Sequence, residues 1–166
     1  VRNDNMDDEV FATLNERYRP DTDSASGAIT LTSHNNAANQ INTSKLRQLD
    51  GIQSDFRAKV IGKFPESMYP NSINLSFKVG AQVMFNRNDS DKAYYNGKIG
   101  AITAIKDQLI TVRCSGDDGV ICVNPITWEN ISYEMNTLTK KVSDNVIGKY
   151  TQHPLRLAWA ITIHKS

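Results

Sequence analysis

The apolar positions of this chain switch between a helical and a strand period, and the switches divide it into short elements. In residues 7–17, Val10, Phe11 and Leu14 form a stripe behind an acidic first turn, which predicts a short helix ended by Pro20. A polar loop over 21–27 leads into 28–32, a β-branched and apolar run that predicts a buried strand. Ala37, Ala38, Ile41 and Leu46 then share one face of a predicted helix over 35–49, with Asp50-Gly51 as its stop. Residues 56–62 alternate Phe56, Ala58 and Val60 with Arg57, Lys59 and Ile61, the pattern of one strand. Pro65 and Pro70 make 64–72 a loop. A compact apolar run at 82–85 passes through the polar stretch 86–92 to Tyr94, Tyr95 and the turn dipeptide Asn96-Gly97. Because Tyr94 and Tyr95 are adjacent, an extended backbone turns one of them outward. From there to about residue 133 the pattern is β throughout, with strands at 99–105, 109–114 and 120–123 on tight turns. Residues 147–163 begin as a strand and place Leu155, Leu157, Trp159 and Ile161 on one parity.

A strand, turn and helix followed by short strands and a final apolar segment predict an α/β fold with a small inserted barrel. The barrel is too small to bury much surface alone, so it should lean on the α/β part with the two ends of the insert close together. At 166 residues, 39% hydrophobic and 22% charged, the chain has globular composition, which excludes disorder throughout. A net charge of +1 advertises no nucleic-acid partner, but its distribution does more. Residues 1–26 are acidic, whereas 139–166 carry Lys140, Lys141, Lys149, Arg156 and Lys165 against Asp144 alone. The two cysteines, Cys114 and Cys122, suit facing hairpin strands, where a disulfide is conceivable, but buried free thiols are the preferred reading. Neither they nor the scattered histidines have metal-site spacing, no Ser-His-Asp pattern arises, and no run approaches the ~20 apolar residues of a membrane span.

Four segments occur in order: ITLTSHNNAANQIN at 29–42, LSFKVGAQVMFNRND at 75–89, NGKIGAI at 96–102 and PLRLAWAITIHKS at 154–166. Together they resemble the C-terminal motor half of the PIF-like (petite-integration-frequency) superfamily 1B DNA helicases, and more distantly the RecD-like helicases. The last segment resembles their motif V, which normally continues Gln-Gly, so the chain is expected to be a cut piece of a larger motor. The resemblance implies a partial RecA-like domain, the second motor domain, formed by 1–92 plus 146–166 and interrupted by an SH3-like β-barrel at 93–145. It implies an ATP-dependent 5′-to-3′ helicase parent, with ATP and magnesium as its cofactors and single-stranded DNA and the first RecA-like domain as partners. This chain contains no G-x-x-x-x-G-K-(S/T) run, so neither cofactor is expected to be held by it and no catalytic residue is assigned. Such a parent would be intracellular, cytoplasmic with the nucleoid if bacterial.

The same resemblance points to DNA-binding residues. A phosphate backbone is held by hydroxyl, imidazole and ammonium donors without sequence readout, a role that fits Thr162, His164, Lys165 and Ser166. Asn35, after the strand at 29–33, stands on an anion-facing edge, although helix capping by Ser33, His34 or Asn35 explains the same residues. Asn88 is a further DNA candidate beside the barrel junction, while Asn96-Gly97 is read as turn chemistry. Both tryptophans are assigned to packing. Strand edges near 28–32 or 155–163, cut from their usual cover, are expected to favour a dimer. Two other readings remain: a free-standing SH3-like binding module without motor activity, and a RecD-like helicase subunit of an exonuclease.

Overall fold

The computed structural model describes residues 8–16, 27–117, 119–135 and 142–163. Helix α1 (Asp8–Asn15) forms where the apolar stripe predicts it, with Asp8 and Glu9 in its first turn, yet it buries none of its residues and Phe11 is 57% exposed. Strand β1 (Thr30–Thr32) pairs in parallel with β12 (Ala160–Thr162), Leu31 opposite Ile161. The expected burial of this strand is not found, for Leu31 is 64% exposed. Among the described residues β12 is its only hydrogen-bonded neighbour, so one edge and one face stay open.

Helix α2 (Asn35–Gln48) packs on β1 and β12. Its buried residues, Ala38, Asn42 and Leu46, recur every four positions, and the predicted Ala37 and Ile41 flank that line half-buried. The Asp50-Gly51 stop holds, with Gly51 at φ +94. Lys78 Nζ donates to Leu49 O at 2.7 Å, placing a cation where the helix exposes its last carbonyls.

The single strand predicted over 56–62 is two strands in two sheets. Strand β2 (Ser54–Arg57) pairs antiparallel with β4 (Asn74–Phe77), whereas β3 (Lys59–Gly62) pairs with β10 (Val142–Gln152). Ala58, between them, donates its N–H to Ile73 O at 2.7 Å. The alternation itself runs unbroken through the exchange, with Phe56 and Ala58 buried and Arg57, Lys59 and Ile61 exposed. Periodicity records which face is inward and is blind to a change of partner. The proline-bearing loop that follows contains a 3-10 turn at Glu66–Met68.

Five antiparallel strands form the largest sheet, in the order β11 (Leu155–Leu157), β5 (Gln82–Phe85), β6 (Ile99–Lys106), β7 (Leu109–Cys114) and β8 (Ile121–Val123). A two-residue turn, with Asp107 at φ +53, joins β6 to β7, and Gly97 at φ +96 fits the turn chemistry of Asn96-Gly97. Strand β9 (Ile126–Met135) and β10 make a long hairpin that joins β3 in a separate three-stranded sheet. Among the described residues no closed barrel is found. Strands β5 and β11, from the α/β segments, join this sheet, β5 beside β6 and β11 beyond β5, and no pairing joins β8 back to β11. Cys122 lies opposite Thr111 rather than Cys114, so the two thiols do not face, and Cys122 is exposed where burial was expected.

One apolar core spans both parts. Leu46 of α2, Phe56, Phe77, Val83, Phe85, Ile102, Ile110, Val112, Leu155 and Trp159 belong to it, so the sheet of short strands cannot separate from the α/β part without exposing this surface. Tyr94 stacks on Phe85 with centroids 4.1 Å apart and is buried, while Tyr95 is 61% exposed, the outward turn that adjacency predicts. Trp128 packs with Tyr150 in a smaller cluster, under the Arg87 guanidinium at 5.4 Å.

Candidate nucleic-acid interface

Polar side chains lock the point where the sheets meet. Gln152, almost fully buried, donates to Phe56 O at 3.1 Å and accepts from His153 N–H at 3.0 Å. His153 Nε2 meets Gln108 O at 2.7 Å in the β6–β7 turn, and its ring lies edge-on to Phe56. Burial holds the His153 pKa below the ordinary histidine value, with the Gln108 hydrogen bond opposing. Asn71 Nδ2 donates to His153 O and Leu155 O, and the Tyr150 hydroxyl donates to Asn71 O or Ser72 O, at 2.9 and 3.0 Å. Removal from water pushes the Tyr150 pKa up to about 12, so that hydroxyl stays a donor. These bonds fix β11 against the loop before β4.

A second lock fixes β12. Asn42 Nδ2 donates to Ala160 O at 2.8 Å and Asn42 Oδ1 accepts from Ala160 N at 2.9 Å. The buried carboxamide supplies from a helix the pair of bonds that a neighbouring strand would supply. Thr162 follows two residues later.

Between these locks lies a cleft of about 690 Å³, bounded by α2, the 69–77 segment, β11 and β12. Asn35, Asn39, Asn74, Arg156 and Thr162 line it, and among the described residues Arg156 is its only charged lining residue. Among the described residues, Asn35, Asn39 and Asn74 commit no side-chain donor elsewhere in the protein. The arrangement offers amide, hydroxyl and guanidinium donors to an acceptor-rich ligand and, among the described residues, presents no lining carboxylate.

Two of the sequence candidates, Asn35 and Thr162, are therefore brought to one recess by chain-distant elements. At the helix start His34 is the capping position and makes no side-chain cap bond, so Asn35 keeps its carboxamide free of that duty. Asn88 is not brought there. Its Oδ1 accepts from Asn96 N–H at 2.8 Å and braces the β5–β6 connection. His164, Lys165 and Ser166 lie outside the described residues. Arg156 went unassigned by sequence reasoning, and the signal available was its polar parity between Leu155 and Leu157 in an otherwise apolar segment. Among the described residues no cluster of histidine, cysteine or acidic side chains could hold a metal ion, and no helix is long and apolar enough to cross a membrane.

No family model matches the chain. Individual proteins do. It is 33% identical over 145 residues to the ATP-dependent DNA helicase Pif1 of Campylobacter jejuni, covering 80% of this chain and 32% of that protein. The Pif1 helicase of Bdellovibrio bacteriovorus is 28% identical over 171 residues, covering 100% of this chain and 36% of its own length. Among solved structures, Bacteroides sp Pif1 in complex with ADP-AlF4 superposes with a TM-score of 0.87 at 34% identity, over 96% of this chain and 36% of that one. Bacteroides Pif1 bound to ssDNA gives a TM-score of 0.73 at 35% identity over the same shares. The chain thus spans about a third of the length of the curated relatives it matches. The mixed α/β fold, the ordered segments and this superposition agree, and the chain belongs to the Pif1-like superfamily 1B DNA helicases.

Proposed function

We propose that this chain is the DNA-holding part of an ATP-dependent 5′-to-3′ DNA helicase, and that the cleft between α2, β11 and β12 holds single-stranded DNA by its phosphates. In this reading β1, α2 and β12 belong to the second RecA-like motor domain, and the residues around 93–145 form its SH3-like insert. The observation that carries it is the cleft itself, where Asn35 and Thr162 converge with uncommitted amide donors and, among the described residues, no carboxylate. Such donors match phosphate oxygens and carry no base preference. His164, Lys165 and Ser166 come after Thr162 and Ile163 in sequence, and this reading assigns them phosphate contacts as well. The superposition on Bacteroides Pif1 bound to ssDNA supports the assignment.

The chain has no G-x-x-x-x-G-K-(S/T) run, so its own residues do not fit the triphosphate of ATP. ATP, magnesium and the first RecA-like domain belong in this reading to the rest of the parent protein. The chain's own contribution is to bind and orient the strand. A fluorescence-anisotropy titration with a labelled oligothymidylate tests this. The expected result is binding that weakens steeply as salt rises, with no ATP hydrolysis. Absence of binding at low salt, or binding indifferent to salt, would overturn the reading.

A further inference from the structure

Arg156 stands apart from every other described cation. It projects from β11, is half-buried, and among the described residues is the only charged one that lines the cleft. Its Nε is buried with no hydrogen-bond partner, and among the described residues its guanidinium enters no salt bridge. Burial pulls its pKa below the ordinary arginine value, with no neighbouring charge opposing. By contrast Lys98 pairs with Asp117 at 2.7 Å, Lys149 with Glu129 at 2.9 Å, and Arg87 has the Thr127 carbonyl and the Trp128 ring. One carboxylate lies next to the lining, for Ser76 Oγ donates to Asp55 Oδ1 at 2.6 Å on the same sheet face, but Asp55 is not among the described lining residues.

A partly desolvated guanidinium with an empty donor position costs free energy that the folded chain does not recover internally. An anion entering the cleft would supply that partner and balance the charge. We infer that Arg156 is the principal phosphate-holding residue of the cleft and takes one backbone phosphate of a single-stranded nucleic acid through Nε and a terminal nitrogen. The inference rests on the function proposed above and adds to it a residue outside the motif V donors. The planar fork suits two oxygens of one phosphate, and the uncommitted amides of Asn35, Asn39 and Asn74 sit around the same space to meet neighbouring oxygens.

The test compares the full chain with Arg156→Gln and Arg156→Met in oligothymidylate titrations at several salt concentrations. Loss of one phosphate contact flattens the plot of log affinity against log salt by about 0.7. Loss of a charge-assisted bond should weaken low-salt binding at least about tenfold. A Lys106→Gln control, in the β6–β7 hairpin and absent from the cleft lining, should leave the slope unchanged. A second measurement needs no folded variant at this position. In the unmodified chain the side-chain Nε–H resonance of Arg156 should shift on adding the oligonucleotide. Salt-dependent binding by the unmodified chain, with neither a slope change in a folded variant nor a resonance shift, overturns the role of Arg156 and leaves the DNA-holding reading standing. Absence of DNA binding by the unmodified chain overturns both.

Discussion

Replacing Asn42 by alanine would isolate the bond pair on which the cleft depends. Asn42 is 8% exposed and Ala160 only 1%, so water cannot take over the two hydrogen bonds of 2.8 and 2.9 Å when the carboxamide is removed. A buried donor or acceptor left unpaired costs about 1–3 kcal/mol, and this change strands one of each. Alanine returns roughly half a kcal/mol through its better helix propensity, far too little to offset that loss. The net expectation is a loss of about 2–4 kcal/mol, which for a chain of this size lowers the thermal midpoint by roughly 5–15 °C. Circular dichroism during thermal and urea denaturation measures it. Asn42→Leu, which refills the volume but leaves Ala160 unpaired, should be no better than alanine. Since Ala160 precedes Thr162 in the short strand β12, DNA affinity should fall with stability. Stability within about 0.5 kcal/mol of the parent chain, or recovery in the leucine variant, would show that volume and not hydrogen bonding secures β12.

Three other outcomes are expected. The pKa of His153 is depressed in the folded protein, so between that value and 6.5 the unfolded chain binds more protons and stability is lost as pH falls through this window; urea midpoints should fall on acidification from pH 7, and His153→Gln should flatten the dependence, an unchanged slope refuting the assignment. Gly148→Ala places a Cβ against the Lys63 backbone carbonyl where β10 passes β3, and overpacking of this kind should cost about 1–3 kcal/mol in the same denaturation assay. Cys122 is exposed while Cys114 is buried with its pKa pushed up chiefly by that burial, so a thiol reagent should label one cysteine quickly and the other only on unfolding; two equally fast thiols would contradict the packing of β7.

Helix α2, the Asn96-Gly97 turn and the outward Tyr95 were legible in the sequence because each depends on local rules: a repeat on one helix face, a positive φ, alternation along an extended chain. The family was legible for a related reason, since ordered segments survive in sequence whatever their surroundings. Partners were not legible. The alternation over 56–62 is continuous, yet Ala58 hands the chain from β4 to β10, a choice made by distant strands. No closed barrel is found among the described residues for the same reason, because strand pattern shows that β5 and β11 exist but not that β5 pairs with β6 and β11 with β5. Asn35 and Thr162 could each be named from sequence, but their meeting across one cleft follows from the parallel pairing of β1 with β12 and the packing of α2 on both. Arg156 shows the difference most sharply. In sequence it is one arginine in an apolar segment, and its chemistry arises only because folding desolvates it opposite amide donors without providing a carboxylate.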